Sequence, residues 1–161
     1  MLKTLVSHSE ISGTFSEFPE RANQLRESAS KKTMGNLVGE FFKRVHSESF
    51  EPEMPEDQEG ACISFGFRIG CSDDFTEAFK ESLALLVKER NQLIHQKLLS
   101  FNLHSADSCR ELIASLDDQN LRLKPAYEVL HGHVKGLADL AAMMGEVLRK
   151  VEDFEEKSSD A

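Results

Sequence analysis

The sequence predicts an all-α fold of four to five helices, with one short β strand or hairpin inserted near residues 62–70. Three observations lead there. Over most of the 161 residues, apolar side chains recur three or four positions apart, the spacing that lines one side of an α-helix. In one stretch Ile63, Phe65, Phe67 and Ile69 instead alternate with Ser64, Gly66, Arg68 and Gly70, the period of two that marks a half-buried strand. Hydrophobic content of 40% and charged content of 29% are those of a globular chain, and 161 residues suit one domain, 1–161, with a sizeable core.

From the amino end, Leu5, Ile11, Phe15, Phe18, Ala22, Leu25 and Ala29 form a helical stripe that Gly13 and Pro19 interrupt. The segment is therefore either a kinked helix or a short leading piece followed by a helix with Pro19 in its first turn. His8 shares the stripe's phase and is expected in the core or at an interface rather than as a catalyst. Thr33 is placed to cap a second helix reaching about His46, with Leu37, Val38, Phe41, Phe42 and Val45 inward. Gly35 and Gly39 lie four apart on it, which predicts close approach of another helix there. Residues 47–60 hold two prolines and six acidic residues and read as an acidic, solvated loop. The strand that follows needs a partner for its backbone groups, either the region of Ser49 and Phe50 or the same strand of another subunit.

Ser72 or Asp73 caps the central helix, which carries Phe75, Phe79, Leu83, Leu86, Leu93 and Leu98 and runs to about Phe101. Asn102 to His104 turn the chain, and Ser105 caps a further helix with Cys109, Leu112, Ile113 and Leu116 inward. Pro125 interrupts the last stripe, Tyr127 to Phe154, and predicts a kink or short break near Lys124 before a long final helix and a frayed tail, 155–161.

Three cysteines, Cys62, Cys71 and Cys109, without the short paired spacing of zinc sites, predict free thiols in a reducing compartment. Residues 1–13 lack the pattern of a signal peptide, and no apolar run nears the roughly 20 residues that cross a bilayer, so a cytoplasmic protein without membrane contact is expected. A formal charge of −9 opposes broad non-specific binding to nucleic acid, whose affinity comes mainly from phosphate neutralisation. Lys88, Arg90 and Lys97 nevertheless cluster, which would confine nucleic-acid contact to one region and assigns Lys88 and Lys97 to phosphate contact.

That region, Lys88 to His95, is the most chemically loaded stretch of the central helix. In an α-helix Asn91 and His95 lie about 40° apart on one face and Arg90 about 140° from His95, within reach of a flexible side chain. Arg90 supplies a permanent bidentate phosphate donor, Asn91 an amide and His95 an imidazole of the kind that titrates near pH 6.5. The order Arg90, Asn91, three free positions, His95 resembles the signature of the HEPN superfamily: Arg, a polar residue, three free positions, His. The resemblance implies a dimeric helical bundle and often a metal-independent ribonuclease, with the Arg and His of both subunits in one cleft. Two departures stand beside it. HEPN toxins paired with a nucleotidyltransferase antitoxin often carry Tyr two residues after the His; here Gln96 and Lys97 follow, and Tyr127 is the only tyrosine. The strand inserted before the signature helix is also foreign to the plainest HEPN bundles.

Cleavage of RNA without a metal needs a base for the 2′-hydroxyl, an acid for the leaving oxygen and a cation on the phosphate. His95 suits base or acid, Arg90 the cation, and Asn91 the orientation of either imidazole or substrate. One His cannot readily serve as both acid and base in one step, so a homodimer bringing a second His95 is expected. His131 and His133, two apart, point to opposite sides of a helix and form no metal pair, and no cofactor or metal is expected. The functional expectation is thus a HEPN endoribonuclease, a toxin or defence effector with an RNA substrate and, as a candidate partner, a protein antitoxin or other partner protein. The alternative is a non-catalytic HEPN-like dimeric adaptor or partner-binding protein, whose signature pair would be buried or salt-bridged instead of lining an open cleft.

Overall fold

The computed structural model describes residues 1–14, 17–46 and 62–159. The fold is all-α with a short two-stranded antiparallel sheet. The chain opens with α1 (Leu2–His8), whose Leu2, Leu5 and Val6 are buried on one side at the three- and four-residue spacing of an inward face. Ser9, fully buried, bonds its hydroxyl to the Val6 carbonyl and turns the chain into β1 (Glu10–Thr14). This is the partner that the period-two segment requires. β2 (Cys62–Gly66) runs antiparallel to β1, with Ile11 opposite Phe65 and Thr14 opposite Cys62.

The pairing corrects two expectations. Ile11 belongs to a strand, not to a helical stripe, because Ile-Ser-Gly-Thr has weak helix propensity and a five-residue partner satisfies its backbone. Gly13 has φ +148°, and a Cβ there would meet the Arg21 guanidinium at 3.0 Å. Arg21 in turn donates to the Ser12 carbonyl at 2.6 Å. Among the described residues the strand's partner is β1 of the same chain; the region of Ser49 and Phe50 and the expected acidic loop lie outside the described residues. Beyond Gly66 the extended path continues: the Phe67 N–H donates to the Ser9 carbonyl at 2.7 Å and the Ile69 N–H to the Val45 carbonyl at 2.8 Å. Phe67 is buried, with Phe65 and Ile69 packed against the core.

Pro19 stands in the first turn of α2 (Phe18–Lys31), where its missing N–H costs nothing, so the leading piece and the following helix are separate elements. Thr33 caps α3 (Met34–Val45), its hydroxyl accepting from the Asn36 N–H at 3.3 Å. Leu37, Val38, Phe41 and Val45 are buried and Phe42 is half-buried. Gly35 and Gly39 have no atom within 4 Å of a built Cβ among the described residues, so the expected close helix approach does not occur there.

Ser72 caps α4 (Asp73–Gln92) through the Phe75 N–H, and Asp73 and Asp74 set negative charge against the positive end of its dipole. The helix widens into one π turn (Leu93–Lys97) and ends as α5 (Leu98–Ser100). After the turn, the Ser105 hydroxyl accepts from the Ser108 N–H and opens α6 (Ala106–Ser159). With 54 residues, α6 is roughly 80 Å long at about 1.5 Å per residue. It runs through Pro125 without the expected break, and through the segment expected to fray from residue 155. Pro125 deprives the Leu121 carbonyl of its helical donor, but that side of the helix is exposed, so water can satisfy the oxygen.

The core joins α1, α3, the first half of α4 and the middle of α6, through Leu5, Phe41, Val45, Phe79, Leu83 and Leu130. From residue 84 to residue 125 no side chain is buried. Cys109, Leu112 and Leu116, expected inward, are half-buried, Leu112 sharing a pocket with Lys97, Ser100 and Phe101, and Ile113 is exposed. Among the described residues no helix is long and apolar enough to cross a membrane.

Candidate functional site

The Arg-Asn-x-x-x-His stretch straddles the junction where α4 becomes the π turn. Leu93 donates to both the Arg90 and Glu89 carbonyls, and the Leu98 N–H then reaches back five residues to the Leu93 carbonyl. A turn closed by i→i+5 bonds takes more residues per revolution than an α turn, so each advances by less than the usual 100° or so. The roughly 140° separating Arg90 from His95 in an unbroken helix is thereby reduced, and His95 moves nearer the line of Asn91 as well. Such single wide turns often sit at functional sites because they reposition one side chain without ending the helix.

Arg90, Asn91 and His95 are exposed and line one open groove of about 700 Å³. The Arg90 Nη1 donates to Asn91 Oδ1 at 3.3 Å, so the amide restrains the guanidinium. The opposite wall comes from the amino-terminal part of the chain: Lys3 of α1, then Lys32, Thr33, Met34 and Gly35 at the start of α3. The positive end of the α3 dipole adds to these cations. No acidic residue is among the described lining, although the chain as a whole carries −9.

Sequence patterning pointed to Arg90, Asn91 and His95, which the fold brings together, and to Lys88 and Lys97, which it places outside the lining of this groove. Lys88 is exposed, and Lys97 bonds the Ser115 hydroxyl across the turn between α5 and α6. The lysines that do line the groove, Lys3 and Lys32, carried no sequence signal, because each arrives from an element distant in sequence. Lys3 donates to the Ser30 carbonyl at 2.9 Å and Lys32 pairs with Glu40, contacts that hold the two ammonium groups against this wall. Behind the signature, Glu89 pairs with Arg122 at 2.9 Å, and Arg122 also binds Asp118, which ties α4 to α6 at the level of the groove.

The other histidines have different surroundings. His8 Nδ1 lies 2.9 Å from the Thr4 carbonyl and 2.8 Å from the Ser7 hydroxyl, a locally satisfied ring on α1. His131 stacks on Tyr127 at 6.0 Å while His133 faces Phe41, so the two point apart as their spacing requires. His133 instead meets His46, at the end of α3, with ring centroids 5.4 Å apart among Phe41, Phe42 and Phe79. Both His46 ring nitrogens and His133 Nδ1 are shielded from solvent without a hydrogen-bond partner among the described residues. Burial holds the pKa of each below the ordinary histidine value, and His46 lowers that of His133 further by its charge. No third His, Cys, Asp or Glu joins them among the described residues, which leaves a half-buried imidazole pair with too few ligands for a structural metal.

The arrangement gives one open, cationic groove with a phosphate-type donor, an amide and an imidazole on one wall and two ammonium groups on the other. A scan against protein-family models and searches of curated proteins and of solved structures returned no match for this chain.

Proposed function

We propose that this chain is a metal-independent endoribonuclease of the HEPN type, acting as a homodimer and serving as a toxin or defence effector. The observation that carries the reading is the convergence of Arg90, Asn91 and His95 on one solvent-open cationic groove, the condition that separates a catalytic signature from a structural one.

In this reading the RNA backbone lies along the groove, its phosphate held by Arg90 and by Lys3 and Lys32. The imidazole of one subunit takes the proton of the 2′-hydroxyl. The 2′-oxygen attacks phosphorus, the bond from phosphorus to the 5′-oxygen breaks, and the partner's His95 protonates the departing oxygen. The products are a 2′,3′-cyclic phosphate and a 5′-hydroxyl, with all atoms and the single proton accounted for. Arg90 offsets the charge that grows on the non-bridging oxygens.

A homodimer is supported by the apolar side chains that the arm from residue 84 to residue 125 leaves uncovered, among them Leu98, Leu99, Leu103 and Leu121. A monomer rarely shows such a patch. The same observation favours a second reading, a non-catalytic dimeric adaptor or antitoxin-binding protein in which that surface is the whole function.

Cleavage of a labelled single-stranded RNA separates the two. His95→Ala and Arg90→Ala should each slow cleavage by at least about a hundred-fold, the scale of one lost acid–base or charge-stabilising group, without changing the helical circular dichroism. Chelation should have no effect. Full activity in His95→Ala, or loss of cleavage on chelation, would overturn the metal-free assignment, and a parent protein that cleaves nothing would leave the adaptor reading standing.

A further inference from the structure

The wall of the groove that carries Arg90 is also the wall of a second cavity of opposite character. This cavity, about 310 Å³, has Val38, Leu83 and Leu130 as its buried base and Leu123 at its exposed rim. It shares Met34, Val87 and Arg90 with the cationic groove, so the two adjoin at the Arg90 side chain. Its volume and predominantly aliphatic lining, with a charged group at one end, are those of a small-molecule pocket. Water gains little there, since a water molecule needs two to four polar partners.

The lining selects among occupants. A nucleobase would be held by stacking on a free aromatic face. Among the described residues the one aromatic ring at this cavity, Tyr127, is already stacked on His131 at 6.0 Å, and the remaining walls are apolar and non-aromatic apart from Gln119, Asn120 and Arg90. An alkyl chain matches such walls, and the cations around the adjoining groove match an anion at its end. We propose that the adjoining cavities bind a small amphipathic anion, an unbranched alkyl chain ending in a carboxylate, with the chain against Leu83 and Leu130 and the carboxylate on Arg90. This binding does not depend on RNA cleavage, and it can be tested in a protein that cleaves nothing.

The probes are octanoate, decanoate, dodecanoate and the uncharged decanol, titrated calorimetrically into the full chain. Decanoate should saturate at one per chain. Going from octanoate to decanoate should tighten binding by about fifteen-fold, the product of two buried methylenes at about 0.8 kcal/mol each. Decanol should bind at least about ten-fold more weakly than decanoate. Arg90→Ala should remove that difference while leaving decanol unchanged, and Leu123→Asp, at an exposed rim position where folding tolerates it, should weaken decanoate and decanol alike. Circular dichroism of both variants should match the parent. The proposal is overturned by failure of decanoate to saturate, by equal affinity for octanoate and decanoate, by equal affinity for decanoate and decanol, or by Arg90→Ala and Leu123→Asp both binding as the parent does.

Discussion

The body of the molecule and its arm are built from the same two helices and differ in everything else. In the body, α4 and α6 lie against α1 and α3, and Phe79, Leu83, Leu130 and Leu137 are buried. In the arm, residues 84–125, the same helices continue with the same density of large apolar residues, yet none is buried, and Leu99 and Leu121 are 81% and 75% exposed. The contrast shows that periodicity specifies a helix's apolar side but not what covers it. The groove lies where body and arm meet: Lys3, Lys32 and Thr33 belong to the body, while Arg90, Asn91 and His95 stand at the root of the arm. A site placed there is held rigid on one wall and is open to whatever covers the arm on the other.

The largest test of this contrast is a pair of truncations. Phe41 is fully buried and touches Phe42, His46, Phe79 and His133, so Phe41→Ala should cost about 3–5 kcal/mol of unfolding free energy in denaturant titrations. Leu99→Ala should cost no more than about 0.5 kcal/mol at low protein concentration, because it is exposed and none of the described residues covers it. A comparable loss at both positions would mean that the arm is packed in the folded unit and that the division into body and arm is false.

What was legible in the sequence follows the same division. Within the body, local chemistry and tertiary packing agree: Thr33 caps α3, Ser72 caps α4, and Leu37, Val38, Phe41, Phe79 and Leu83 are buried as their spacing predicts. The strand at Cys62–Gly66 was visible from its alternation, but its partner was not, because Ile11 also fits a helical spacing with Leu5 and Phe15, and pairing across some fifty residues leaves no local mark. In the arm the helices were visible and their burial was not, so Leu112, Ile113 and Leu116 were assigned to a core that does not exist there. Pro125 was given its usual weight as a breaker, and the packing of Ala126, Leu130 and Leu137 overrode it. Of the site, the half written contiguously in the sequence was legible and the half contributed by Lys3 and Lys32 was not. The π turn lay beyond reach because an i→i+5 bond imposes no residue type that composition could reveal.

A second test asks whether a copy of the chain covers the arm. Light scattering at micromolar concentration should give a dimer, and Leu99→Asp and Leu121→Asp should each raise its dissociation constant by about ten-fold or more, the effect of about 1.4 kcal/mol at an interface position. Two chains of formal charge −9 repel, so added salt should strengthen the dimer of the parent. A monomer at these concentrations, or a dimer indifferent to both substitutions, would leave the arm free for a different partner and would remove the composite site on which the two-histidine mechanism depends.

The smallest expected effect lies in the body, at the half-buried imidazole pair. His46 and His133 face each other at 5.4 Å inside a wall of Phe41, Phe42 and Phe79, with no carboxylate hydrogen-bonded to the shielded nitrogens among the described residues. Protonating either ring would bury a charge without a partner, and a second proton would set two like charges side by side. Both pKa values are therefore held below their unfolded value of about 6.5, by burial first and, for His133, by the charge of His46 as well. The unfolded chain then binds more protons than the folded one as pH falls below that value. The stability held above about pH 6.5 is lost as pH drops toward and through the folded values. The thermal midpoint should fall by on the order of a few degrees between about pH 7.5 and about pH 5.5, a window that ends above the range in which ordinary carboxylates titrate. His133→Leu should flatten that slope, because it removes both one titrating ring and the like charge that His46 would face. A slope unchanged in His133→Leu would place the pH dependence elsewhere and would show that the pair, although shielded, reaches water when it needs to.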